Sequence, residues 1–87
     1  MEFGFDEKKS QSNAAKIGID FEAAKFLWCD ARRVLVEARS KTEPRFALIA
    51  TLGGKIWTAI YTTREERIRI ISVGRSRDGE EEGYHNS

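Results

Sequence analysis

The chain is expected to be an α+β domain in which two N-terminal helices pack on a small antiparallel β-meander, and three observations predict it. Aspartates suited to cap helices, Asp6 and Asp20, stand on either side of Gly18, a residue suited to end one. Runs rich in Ile, Trp, Thr and Tyr over residues 45–73 are interrupted by Gly53-Gly54 and by Arg64-Glu65-Glu66, the punctuation of antiparallel hairpins. The length, 87 residues with 40% hydrophobic and 33% charged, supplies one core, so residues 1–87 are read as a single domain.

Residues 2–5 alternate polar and aromatic, the period of a short half-buried strand. Asp6 then caps a helix running to about Lys16, whose only apolar residues before Ile17 are Ala14 and Ala15, so it should lie on the surface and depend on its neighbours. After Gly18, Asp20 caps a second helix in which Phe21, Ala24, Leu27 and Trp28 form a core stripe while Glu22 and Lys25 point away. This should be the best helix in the chain, with Cys29 buried at its end as a small hydrophobe. Residues 34–36 are a β-branched run and predict a strand; residues 37–44 are polar and end in the only proline, which predicts a loop. Strands follow over residues 45–52, 55–63 and 67–73. Gly74, Gly79 and Gly83 interrupt the remainder, where residues 77–84 support at most a helical turn or two. Residues 78–87 read as an acidic tail that frays.

Composition excludes several classes of function. The longest apolar stretches are a few residues, far below the roughly 20 that cross a bilayer, so no membrane association is expected. Residues 1–9 offer no basic segment leading into an apolar one, and the protein is expected in the cytoplasm. One cysteine and one histidine supply neither a disulfide nor a structural zinc site, and no phosphate-binding loop or dinucleotide fingerprint occurs. No metal and no cofactor is expected. The net charge of +1 conceals an uneven distribution: residues 39–77 carry 9 basic and 3 acidic groups, and residues 78–87 carry 4 acidic and none basic. A basic segment before an acidic tail fits a phosphate backbone or an acidic protein as partner, although solvated strand faces are also basic.

Along the last strand Arg67, Arg69, Ile71, Val73 and Arg75 share one parity, and Ile68, Ile70, Ser72 and Gly74 the other. With the helices over Ile68 and Ile70, unbroken alternation would project Arg67, Arg69 and Arg75 together from an open surface, where guanidinium groups could grip phosphate. The competing explanation is defence of a sheet edge. Trp57 and Tyr61 share a parity suited to stacking on bases, but at this spacing core packing is favoured. His85, near the end of the tail, is a weak candidate for acid–base work.

The block Phe3-Gly-Phe-Asp6 with Lys9 and Asn13, then Lys16-Ile-Gly18-Ile-Asp-Phe21-Glu22-Ala-Ala24, then Arg45, Gly53, Tyr61-Thr62 and Arg67-Ile-Arg69-Ile70-Ile71-Ser72, resembles the BrnT toxin family over nearly the whole chain. The resemblance implies a RelE-like ribonuclease toxin of a type II toxin–antitoxin pair, cutting RNA without a metal and neutralised by a ribbon–helix–helix BrnA antitoxin in a higher-order complex. It implies functional positions at Lys16, Arg45, Arg69, Arg75, Glu80 and Tyr84. Two departures stand out: Ile17 replaces the usual histidine after the lysine, and Gly74 precedes Arg75 where two basic residues are usual. Phe5 also replaces a common tryptophan, a packing change.

For such an enzyme the economical chemistry is attack of a ribose 2′-OH on the adjacent phosphate. Arg69 and Arg75 suit the cation that stabilises the phosphorane, Glu80 or Lys16 the base, and Arg45, Arg67, Arg77 and Tyr84 contacts to RNA. The antitoxin is expected on the same basic face. The rival expectation is a weakened module that keeps its antitoxin and no longer cuts RNA; an unrelated adaptor domain is the third.

Overall fold

The computed structural model describes residues 2–38 and 43–85, with the backbone alone at Ala38 and Asp78. A strand, β1 (Glu2–Phe5), leads into α1 (Glu7–Ile17); α2 (Phe21–Ala24) continues as a 3-10 segment (Lys25–Cys29). Then come β2 (Val34–Ala38), β3 (Arg45–Leu52), β4 (Lys55–Arg64), β5 (Arg67–Arg75) and α3 (Asp78–His85). The expected α+β architecture is present. The loop expected over residues 37–44 lies partly outside the described residues, and Glu37 and Ala38 still belong to β2.

The strands order as β1-β5-β4-β3-β2. All neighbours are antiparallel except β1, which joins the edge parallel to β5, from Glu2 opposite Arg67 to Phe5 opposite Ile70. One face of this sheet carries the core: Leu48, Ala50, Trp57, Ala59, Tyr61, Ile68, Ile70 and Val73 meet Ile19, Phe21, Ala24 and Leu27. Edge-to-face rings tie β1 to the helical layer, Phe3 on Trp28 at 5.1 Å and Phe5 on Phe21 at 5.6 Å. Trp57 and Tyr61 are core residues, as packing favoured.

The caps are where the sequence predicts them. Asp6 accepts from the N–H groups of Lys8 and Lys9, Asp20 from that of Ala23, and Gly18 ends α1 in the left-handed region at φ 93°. With almost no apolar face, α1 is held by polar contacts instead. The buried Ser10 Oγ accepts the Phe21 N–H (2.9 Å), while Asn13 donates to the Ile19 carbonyl (2.7 Å) and accepts from the Val73 N–H (3.4 Å).

Two expectations about the second helix are corrected. It is α-helical for one turn only, because its buried residues Phe21, Ala24 and Leu27 recur every third position, the repeat of a 3-10 helix. The tighter winding leaves Cys29 exposed rather than buried.

A third correction concerns β5. Ile60 pairs with Ser72 but Tyr61 with Ile70, so Ile71 is an extra residue, a bulge that exchanges the faces beyond it. Ile68 and Ile70 before the bulge and Val73 after it are all buried on the core side. Arg75, opposite Trp57, therefore lies on the core side too, with its guanidinium 5.5 Å from the indole centroid. It does not share a face with Arg67 and Arg69.

The acidic tail forms α3, which covers the β2–β3 end of the second face. Glu80 Oε1 accepts the Arg77 N–H (2.9 Å), capping the helix. The buried Tyr84 donates its hydroxyl to Asp30 Oδ2 (2.7 Å).

Candidate nucleic-acid interface

Strand pairing sorts the arginines. Arg64 is opposite Arg67 and Thr62 opposite Arg69, so these four side chains project from the face turned away from the core. Phe46 pairs with Tyr61, and continuing that register by one residue sets Arg45 beside Thr62. Four guanidinium groups from three strands thus occupy one end of an open sheet face, with Arg45 and Arg69 two strand spacings, about 10 Å, apart.

Their partners differ. Arg64 pairs with Glu43 (3.1 Å) and Arg67 with Glu2 (2.8 Å), both exposed pairs. Arg69 has no ion-pair partner among the described residues, and the β1 residue opposite it is Gly4, where a Cβ would meet nothing within 4 Å. Beside Arg69 there is open room. Arg45 is half-buried, and its Nε–H finds no acceptor among the described residues. A buried donor left without a partner is costly.

At the β4–β5 end of the face is a cleft of about 270 Å³, lined by Gly4, Arg64, Glu65, Arg67, Ile68 and Arg69. Its rim is the two-residue turn Glu65-Glu66, both in the left-handed region at φ 50° and 66°. Such turns normally use Asn or Gly. Glu65 lines the cleft with the three arginines and makes no ion pair with them within 4 Å.

The residues singled out in the sequence do not all converge. Arg45, Arg67 and Arg69 share the open face. Arg75 stacks on Trp57 behind the sheet, and Lys16 is exposed in the last turn of α1, which packs against α2. Glu80 overlies β2 and β3 on the open-face side, beside Val36 and Ala47, with its carboxylate capping the Arg77 N–H. Arg77 is exposed at the start of α3, and Tyr84 is buried against Asp30. Sequence reasoning missed Arg64, Glu65 and Gly4, which it had assigned to a turn and a short half-buried strand. The signal available was the length of the turn, since a two-residue connection brings both flanking arginines to the same face.

Titration at the other end of the sheet has two clear directions. Burial pushes the Asp30 carboxyl up, but hydrogen bonds from Tyr84 and from the Thr51 and Arg32 amides, with the Arg32 charge, outweigh it and hold the group below its ordinary value. Burial raises the Tyr61 phenol, against the opposing charge of Arg33.

Residues 5–80 match the model of a family described as "Ribonuclease toxin, BrnT, of type II toxin-antitoxin system". The chain belongs to the BrnT family. Comparison with curated proteins gives no match. As a type II toxin, this BrnT chain has a cognate antitoxin as its implied partner. The match includes all four arginines of the open face and Glu65, but not Gly4. The two departures from the family pattern fall differently: Ile17 is exposed at the end of α1, whereas Gly74 pairs with Thr58 on the open face itself. Among the described residues no group of His, Cys, Asp and Glu could hold a metal ion, and no helix is long and apolar enough to cross a membrane.

Proposed function

We propose that this BrnT chain cleaves RNA on its open sheet face by attack of a ribose 2′-OH on the neighbouring phosphate. In this reading Arg69 neutralises the phosphorane, with Arg64 and Arg67 beside it, and Arg45 holds a flanking phosphate. The observation that carries it is Arg69 itself, a guanidinium without an acidic partner among the described residues, beside the open space left by Gly4 and among three further arginines. Guanidinium groups stay charged and present a rigid fork of donors, which suits a phosphate whose charge grows in the transition state. Arg75, on the core side of the sheet, and Lys16, in α1, do not share this face and have no part in this reading. Glu80, nominated from sequence as the base, is engaged as the cap of α3. Of the two further RNA contacts expected from sequence, Arg77 is kept and Tyr84 is not, since the Tyr84 hydroxyl is engaged by Asp30.

Arg69→Ala should lower RNA cleavage by about 100-fold or more and abolish growth arrest on expression. The thermal midpoint should barely move, because the side chain is exposed. Equal cleavage by parent and variant would overturn the proposal.

The antitoxin is proposed to be a BrnA-like ribbon–helix–helix protein that covers this same face in a higher-order complex, since the basic excess of residues 39–77 favours an acidic or mixed partner. It should compete with RNA; a ternary complex with undiminished RNA affinity is the contrary result. A second reading, a weakened nuclease retaining its antitoxin, is favoured by one observation: Gly74 leaves the open face bare where a basic residue is usual.

A further inference from the structure

We propose that the cleft bounded by Gly4, Arg64, Glu65, Arg67 and Arg69 holds the scissile phosphodiester, and that Glu65 is the general base. The inference rests on the ribonuclease reading and deepens it.

Two independent observations meet at Glu65. The first is the cleft of about 270 Å³, which Glu65 lines together with Arg64, Arg67 and Arg69, none of them paired with Glu65 within 4 Å. Opposite charges that line one cavity and stay apart leave room for a group that needs both. A phosphodiester beside a ribose hydroxyl is such a group: its oxygens take the guanidinium donors, and its hydroxyl proton needs an acceptor. Gly4 keeps the β1 side of that space open.

The second is the turn. Glu65 and Glu66 are consecutive non-glycine residues in the left-handed region, an unfavourable conformation that Asn-Gly would relieve. Strain of this kind persists at functional positions. The turn carries a carboxylate to the cleft that neither of its favoured residues could supply.

The chemistry balances without a co-reactant. Glu65 takes the proton of the 2′-OH as the 2′-oxygen bonds to phosphorus, and the bond from phosphorus to the 5′-oxygen of the next nucleotide breaks. The departing oxygen takes a proton from water, and the proton on Glu65 returns to solvent. The products are a 2′,3′-cyclic phosphate and a 5′-hydroxyl. The charged groups around Glu65 are Arg64 from β4, Arg67 and Arg69 from β5, and Glu66 in the turn; Glu43 and Glu2 are tied to Arg64 and Arg67.

The test measures cleavage of a single-stranded RNA by the full chain across pH, with RNA affinity and thermal midpoint in parallel. Glu65→Gln should slow cleavage by roughly 100-fold or more, remove the rise of rate with pH on the acid side, and leave affinity nearly unchanged. Glu65→Asn with Glu66→Gly should raise the midpoint and lose cleavage to the same extent. Glu66→Gly alone should raise the midpoint and keep cleavage. If Glu65→Gln cleaves like the parent at every pH while Arg69→Ala is inactive, the base assignment falls and the ribonuclease reading stands. If Arg69→Ala is fully active as well, both fall.

Discussion

Asp30 serves three donors at once. Its Oδ1 takes the Arg32 N–H (2.9 Å), and its Oδ2 takes both the Thr51 N–H (2.9 Å) and the Tyr84 hydroxyl (2.7 Å). One carboxylate thus ends the 3-10 segment, fastens it to β3 and anchors the last turn of α3. Because these bonds favour the ionised form, the folded chain holds the Asp30 proton less tightly than the unfolded chain does. The resulting stability is complete above the ordinary carboxylate range and is lost as pH falls through the lowered value. In Asp30→Asn the fall of thermal midpoint on acidification should be shallower than in the parent, and Tyr84→Phe should speed amide exchange in α3 while sparing β4. An unchanged acid limb in Asp30→Asn would mean that other carboxylates govern it. Asp6, Asp20 and Gly18 were legible as caps because capping is a local affair. The role of Asp30 was not, since its partners are 21 and 54 positions away.

Among the elements, β5 decides what the sheet can do. Two adjacent isoleucines, Ile70 and Ile71, interrupt the alternation of Arg67-Ile68-Arg69, and that doublet is the trace the bulge leaves in the sequence. Reading through it groups Arg75 with Arg69; reading it as an inserted residue sends Arg75 to Trp57 and turns position 74 outward. Gly74 is then the gap in the basic face. Gly74→Arg should add a fifth guanidinium there without a clash, since a Cβ at that position meets nothing within 4 Å. RNA affinity should rise about fivefold, the equivalent of one added contact of ~1 kcal/mol. Unaltered affinity would argue against the face that the bulge assigns to position 74. The second helix teaches the same lesson: spacing of three and spacing of four look alike over one turn, and only the length of the stripe separates them.

For the whole molecule, hydrophobic alternation and turn residues were enough to recover strand order in the meander, because each hairpin is closed by its own neighbours. The parallel seating of β1 beside β5 carries no local signal. The site divides along the same line. Arg67 and Arg69 could be read from parity and Arg45 from the family resemblance, whereas Gly4, Arg64 and Glu65 join them only through pairing between distant strands and the shape of a turn.

That pairing also fixes an order of events during synthesis. Gly4 precedes Arg69 by 65 positions, yet each lines the same cleft. A chain still growing through β4 has its arginine at position 45 and its entire helical layer, but neither β5 nor a partner for β1. Sheets that close between the two ends of a chain form late. On the proposed reading, the surface that would attack RNA is therefore incomplete until β5 has been made and has paired with β1 and β4.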